Sequence, residues 1–292
     1  MKHVSIRSPA KVNLFLHIKG RRPDGYHNLE TLFHRISLAD TLVLRKAASG
    51  ITIKANTKDL PTDSRNLIWK AHRALEKRVG RSLGVHVRLT KRIPVGGGLG
   101  GGSSNAASLL LGMNRLYSLK LSNRVLRQIG ATLGADVSFF VSGHRQALGS
   151  GVGERLRVVP IQRKLWFVIV AFPVNLSTQK VYQTYAKSAS KRAFLTKEKR
   201  VVRLPPCFSS GNLAEMARLL RNDLQAVSSS LYPPIRKTLE LFDTLGIRMR
   251  LMSGSGATVF AIAETRSQAH SLARQIKLRS RFHKNIFISH TI

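Results

Sequence analysis

The sequence predicts a mixed α and β fold, and three observations carry that expectation. Alternating apolar residues fill the first 55 positions, helical and strand periods interchange afterwards, and six glycines in seven positions stand between a strand-like and a helix-like segment. Segments 4–8, 12–19, 29–38, 41–45 and 51–55 read as strands. Arg22-Pro23-Asp24-Gly25 reads as a hairpin turn, the proline fixing φ and the glycine taking the left-handed position. Leu67, Ile68, Ala71, Ala74, Leu75 and Val79 recur at helical spacing over 66–79, and 85–89 alternates as a strand. Beyond the glycine run, Ala106, Ala107, Leu109, Leu110, Met113 and Leu116 mark a helix, and 123–133 marks another. The apolar run 137–141 reads as a strand with Asp136 at its entrance. After a composition shift at 149–163 come a strand at 165–172, helices at 213–220 and 234–245, and a strand at 247–252. A glycine turn, a strand and a helix close the pattern. Residues 186–204 are polar, basic and without apolar periodicity, which predicts a mobile segment.

The run from Gly96 to Gly102 predicts an anion site. Without Cβ atoms, successive N–H groups can turn toward one centre, and the N-terminus of the following helix adds unpaired donors and the positive end of its dipole. Phosphate suits both. Gly96, Gly98 and Gly101 satisfy G-x-G-x-x-G, yet the next acidic residue is Asp136, too distant for a Rossmann ribose carboxylate. Gly102 precedes Ser103 where a P-loop requires Lys. A flexible linker would not be entered by a strand and left by a helix.

Composition sets the outer bounds. With 292 residues and 43% hydrophobic content, the chain can build one large or two ordinary domains. Its single cysteine, Cys207, excludes an internal disulfide and suits a reducing cytoplasm. The longest apolar run, 165–172, is far short of a membrane span, so a soluble protein without membrane partners is expected. The charge of +35, from 49 Lys and Arg against 14 Asp and Glu, is scattered and accompanied by no nucleic-acid motif. No specific nucleic-acid partner is expected, and attraction for polyphosphate ligands is a partial use for the charge.

Five ordered motifs carry a resemblance: Pro9-Ala10-Lys11-Val12-Asn13-Leu14, Arg22-Pro23-Asp24-Gly25-Tyr26-His27, the glycine run continuing through Ser103-Ser104-Asn105-Ala106-Ala107, Leu133-Gly134-Ala135-Asp136-Val137, and Gly151-Val152-Gly153-Glu154. With Ser253-Gly254-Ser255-Gly256-Ala257-Thr258 near the end, the chain resembles the GHMP kinase superfamily over residues 6–262. Within it the likeness is strongest to the branch whose acceptor alcohol carries a cytidine diphosphate group. The resemblance implies an α/β two-domain kinase, the N-terminal domain (1–155) like ribosomal protein S5 domain 2 and the C-terminal domain (156–292) ferredoxin-like, using ATP and Mg²⁺ as a monomer or weak homodimer.

The same resemblance implies roles. Asp136 is the base, although on local chemistry it reads equally as a helix-terminus aspartate satisfied by backbone amides. Lys11 is its charge partner, and Asn13 positions the acceptor hydroxyl. Pro94, Val95, Gly96, Gly97, Gly98, Leu99, Gly100, Gly101, Gly102, Ser103 and Ser104 would cradle ATP, with Ser103 meeting phosphate or Mg²⁺; both serines read equally as helix caps. Gly254 and Ser255 would face the phosphates or simply turn the chain, and Asn66 and Lys91 would lie near adenine. Tyr26 would stack on cytosine with His27 hydrogen-bonding it, and Tyr182, after Thr178, would close the other side; surface packing is the alternative for both tyrosines. Two departures from the family pattern stand out. Ser138 replaces a proline, which is expected to loosen the Asp136 entrance, and Gln225 replaces a glutamate.

Overall fold

The computed structural model describes residues 3–57, 60–189, 207–210, 212–279 and 285–292. Two long strands open the chain, β1 (His3–Arg21) and β2 (His27–Lys46), followed by β3 (Ile51–Ala55), α1 (Leu67–Val79) and β4 (Val85–Thr90). Three helices come next, α2 (Gly101–Leu116), α3 (Asn123–Leu133) and α4 (Ala135–Ser142). Then follow β5 (Gln146–Ser150), β6 (Arg155–Val158), β7 (Trp166–Val170), α5 (Thr178–Ala189), α6 (Cys207–Ser210), α7 (Leu213–Leu219) and β8 (Arg221–Asn222). The chain ends with α8 (Gln225–Leu231), α9 (Pro233–Thr244), β9 (Arg250–Met252), β10 (Val259–Ala263), α10 (Arg266–Arg279) and β11 (Ile286–His290). Of the segment expected to be mobile, 186–189 completes α5 and 190–204 lies outside the described residues. No helix among the described residues is long and apolar enough to cross a membrane.

The chain divides into two compact units. One comprises Met1–Ala10, Leu38–Ile93 and Gly100–His144. In it β3 runs parallel to β4, and β4 pairs antiparallel with β2 from Thr41 to Lys46. Helices α1 to α4 pack on one another, with α2 touching all three of the others. Asn66 starts α1 by accepting the Ile68 N–H on its side chain, and Gly80 ends it in the left-handed region.

One expectation fails here. Residues 137–141 form most of helix α4 and no strand. A short apolar run of β-branched and aromatic residues reads alike as a buried strand or a buried helix turn. Val137, Phe139, Phe140 and Val141 are buried on more than one side, so no alternation marks the period. Ser138 also behaves otherwise than expected. Its N–H donates to the Gly134 carbonyl at 3.4 Å, a bond proline cannot make, so this departure adds a tie to the Asp136 turn.

The second unit comprises Lys11–Ser37, Pro94–Leu99 and Arg145–Ile292. Its four-stranded sheet runs in the order β11-β7-β10-β9, every neighbouring pair antiparallel. With helices between β7 and β9 and with α10 between β10 and β11, the sequence of elements is βαββαβ, the expected ferredoxin-like arrangement. Val168, Val170, Val259 and Ala261 join the core that holds Phe242 and Ile276 from the helices. The alternate residues Phe167 and Phe260 are also buried, their rings 5.9 Å apart, which explains why 165–172 reads as an unbroken apolar run.

On that second face His34 is fully buried, bonded to Gln146 Oε1 at 2.7 Å and Thr291 Oγ1 at 2.9 Å. Burial lowers its pKa from 6.5 to about 4, against the Gln146 bond that raises it. As pH falls below 6.5 the unfolded chain takes a proton that the folded chain refuses until about 4. Stability is therefore lost through that window, by about 3 kcal/mol in all. Urea midpoints measured across it should fall with pH, and fall less steeply in His34→Gln. Equal slopes for both proteins would contradict this reading.

Candidate active site

Lys11 lies in the middle of β1 and is only 4% exposed. A buried ammonium is costly unless its donors are met. Here Nζ donates to Asn13 Oδ1 at 2.6 Å and to the Gly98 carbonyl at 3.0 Å. Asn13 is fixed in turn, its Nδ2 donating to Thr31 Oγ1 at 2.7 Å, while the Thr31 hydroxyl donates to the Phe15 carbonyl. The period-2 alternation of a strand places Lys11 and Asn13 on one face, where the two heads meet.

The first half of the glycine loop is bound to the 253–258 segment. Gly98 has φ +73°, and a Cβ on it would stand 2.3 Å from the Ser253 carbonyl oxygen and 2.9 Å from that of Gly256. A Cβ on Gly97 would stand 2.6 Å from Thr258 Oγ1. Ser253 Oγ donates to the same Gly98 carbonyl that Lys11 holds. Asn222 donates to the carbonyls of Met252 and Gly254, Gln225 Oε1 accepts the Met252 N–H, and Ser228 donates to the Ser255 carbonyl. Gln225 therefore supplies an acceptor that a glutamate would also supply. Thr31 is not signalled by local sequence, because it acts through Asn13, a partner remote in the chain.

The other half of the loop belongs to the first unit. Helix α2 begins at Gly101, with Gly100 as a left-handed N-cap that has no side chain to offer, so Ser103 and Ser104 are not caps. Ser104 is fully buried and accepts from Ser8 Oγ at 2.8 Å. Lys91 ion-pairs with Asp40 at 2.5 Å and donates to Asn105 Oδ1 at 3.3 Å. Asn66, beyond its capping bond, donates to the Pro61 carbonyl. Leu67 beside it lies 3.6 Å from the place of a Gly102 Cβ, which sets the start of α1 next to the first turn of α2. Asp136 occupies the first turn of α4, half-buried, where the helix dipole favours a negative group.

Four expected substrate residues line one cavity of about 1230 Å³ within the second unit: Tyr26, His27, Thr178 and Tyr182. Arg21 and Lys187 bring positive charge to its wall, Asp24 brings a carboxylate already paired with Arg22, and Gln179 and Gln183 bring amides. The hairpin turn is as expected, Gly25 lying at φ +85° and donating to the Arg22 carbonyl. Tyr26 is 67% exposed, whereas His27 is buried with its ring 5.3 Å from Tyr182 and 6.4 Å, edge-on, from Tyr185. Burial lowers the His27 pKa and the Arg21 charge lowers it further, so the ring is neutral and offers one donor and one acceptor. Thr178 Oγ1 bonds Ser255 Oγ at 2.9 Å, joining α5 to the 253–258 segment.

Comparison with known proteins fits this arrangement. The family described as GHMP kinases N terminal domain matches residues 66–144, and GHMP kinases C terminal matches 206–280. A protein of Citrifermentans bemidjiense is 39% identical over 277 residues, covering 94% of this chain and 95% of its own length. One from Geobacter sulfurreducens is 40% identical over 283 residues, covering 97% and 98%. Both bear the name 4-diphosphocytidyl-2-C-methyl-D-erythritol kinase. A crystal structure of 4-(cytidine 5'-diphospho)-2C-methyl-D-erythritol kinase superposes with a TM-score of 0.76 at 33% identity, covering 98% of each chain.

Proposed function

The chain belongs to the GHMP kinases, and on that premise we propose that it transfers the γ-phosphoryl group of ATP to the 2-hydroxyl of 4-diphosphocytidyl-2-C-methyl-D-erythritol, a step of non-mevalonate isoprenoid precursor formation. The observation that carries the substrate is the cavity holding Tyr26, His27, Thr178 and Tyr182 together. A flat base between aromatic rings, beside a neutral imidazole able to donate and accept, suits cytosine. The positive charge of Arg21 and Lys187 suits its diphosphate.

Phosphoryl transfer needs a positioned hydroxyl, a proton acceptor and neutralised phosphate charge. We assign the proton to Asp136, the charge support to Lys11 and the positioning to Asn13. Residues 94–104, Gly254 and Ser255 are assigned to the ATP phosphates. Positive φ at Gly96, Gly98 and Gly100 supports this, since it turns backbone N–H groups out of the strand direction. Asn66 and Lys91 are assigned to the same nucleotide, their polar groups already tied to the protein. Among the described residues no group of three or more His, Cys, Asp or Glu could hold a metal. Mg²⁺ would be carried mainly by the nucleotide phosphates, with Ser103 as its contact on this chain and relief of phosphate charge as its contribution. We place the domain boundary near residue 155, between the two matched family regions. A cytoplasmic setting fits Cys207, whose thiol is buried and pushed up in pKa first by that burial and so kept unreactive.

ADP release should require the cytidylyl substrate, and methylerythritol phosphate lacking the cytidylyl group should be turned over poorly, because remote binding energy positions the hydroxyl. Tyr26→Ala should weaken the acceptor by one to two orders of magnitude, the loss of a stacking contact of about 1–3 kcal/mol. ATP affinity should be unmoved. Tyr26 is exposed, so the fold should tolerate the change. Equal turnover of the truncated alcohol, or an unchanged acceptor KM in the variant, would point to a GHMP kinase of another alcohol.

A further inference from the structure

Asp40 sits on β2, wholly buried, where no part of the reaction described above uses it. Its Oδ1 accepts the backbone N–H groups of Arg92 at 2.7 Å and Ile93 at 2.8 Å. Its Oδ2 accepts Lys91 Nζ at 2.5 Å and Asn105 Nδ2 at 2.9 Å. Asn105 Nδ2 also donates to Ser8 Oγ, which donates to Ser104 Oγ. The Lys91 backbone is clamped from the other side by the Asn56 amide, which accepts its N–H and donates to its carbonyl.

Replacing a buried ion pair by apolar residues of similar volume is often neutral or stabilising, so stability alone is a weak reason for this one. Its four partners are divided in a particular way. Lys91, Arg92 and Ile93 are the last residues before Pro94 opens the glycine loop, and Asn105 lies in α2, just past its close. One carboxylate therefore ties together the entry and exit of an 11-residue stretch, 94–104, that contains six glycines. Such a stretch has the most backbone freedom to lose on ordering, and fixing the distance between its ends removes much of that freedom in advance. The same pair holds the Lys91 ammonium beneath the first turn of α2, 3.2 Å from where a Gly101 Cβ would stand.

We propose that Asp40 is a positioning residue for nucleotide binding, which sets the shape of the glycine loop by joining its two ends. The proposal rests on the ATP-dependent reading above. Asp40→Asn keeps the shape and the Oδ1 acceptor but turns an N–H₂ group toward Lys91 and Asn105, which are both donors. Asn105→Ala removes the exit tie, together with the bonds of Asn105 to Lys91 and Ser8, and leaves the Asp40–Lys91 pair in place. ATP and ADP binding would be measured by calorimetry well below each protein's melting temperature, and KM taken separately for ATP and the acceptor. Asp40→Asn should weaken ATP about tenfold or more, and Asn105→Ala in the same direction by less, with the acceptor KM within about twofold. The double variant should bind ATP no worse than Asp40→Asn, since both act on one network. A folded Asp40→Asn protein with unchanged or tighter ATP binding overturns the proposal, as does an equal rise in both KM values. Should Asp40→Asn fail to fold, unchanged ATP binding by Asn105→Ala overturns it. A wild-type protein that binds no ATP refutes the kinase reading itself.

Discussion

Asp136→Asn is expected to lower kcat by at least about two orders of magnitude while leaving the fold and ATP affinity in place. Removing a general base typically costs 10²–10⁴-fold, and the amide is close in size and cannot take the proton. Asp136 sits in the first turn of α4, on a helix held by buried Val137, Phe139 and Phe140, so the near-isosteric exchange should leave that helix in place. Lys11→Ala should do comparable damage to kcat with a larger loss of stability, because it strips Asn13 Oδ1 and the Gly98 carbonyl of a donor. If the two residues act as one unit, the double variant should be little worse than either single one. Single-turnover rates, with melting temperatures to monitor the fold, decide the matter. Near wild-type turnover in Asp136→Asn would remove it from the role of base.

Local pattern was enough to read β3 at 51–55, α3 at 123–133 and the start of α1 at Asn66, because each has a clean period and a cap or turn at its ends. The two long strands were not legible as single elements. Segments 4–8 and 12–19 are one strand, as are 29–38 and 41–45, and in both the apparent break falls at polar residues that prove to be buried. Lys11 interrupts the first and Asp40 the second. Each is tolerated inside the protein because its charge meets partners 51 to 87 positions away, distances at which no window of sequence carries a signal. The aromatic pocket was legible in part for the opposite reason. Tyr26 and His27 stand where a turn ordinarily continues in small polar residues, and that oddity is local. Tyr185, which meets the His27 ring edge-on, looks like an ordinary helical tyrosine and only the folded chain singles it out.

The glycine loop yields the second large effect, and the structure changes its expected cause. From sequence, Gly98→Val threatens the space a phosphate needs, at a glycine free to take positive φ. In the fold, the first obstacle is the protein itself: the added Cβ would stand 2.3 Å from the Ser253 carbonyl oxygen, far inside contact distance, on a backbone at φ +73° that a β-branched residue rarely adopts. Main chain on both sides leaves nothing flexible to yield. The loop must leave the 253–258 block, and with it go the bonds that Lys11 Nζ and Ser253 Oγ make to the Gly98 carbonyl. ATP affinity should collapse, kcat should fall with it because Lys11 loses one of its fixed partners, and the melting temperature should drop. Gly102→Ala is the control from the same run. Its φ is not positive, and the nearest atom to an added Cβ is Leu67 Cδ1 at 3.6 Å, an ordinary contact. That variant should keep its stability, so any loss of ATP affinity in it reports on the nucleotide alone. Calorimetry and melting curves on the two proteins separate the causes. Unchanged nucleotide binding by a folded Gly98→Val protein would mean that the loop is a connector and that ATP is held elsewhere.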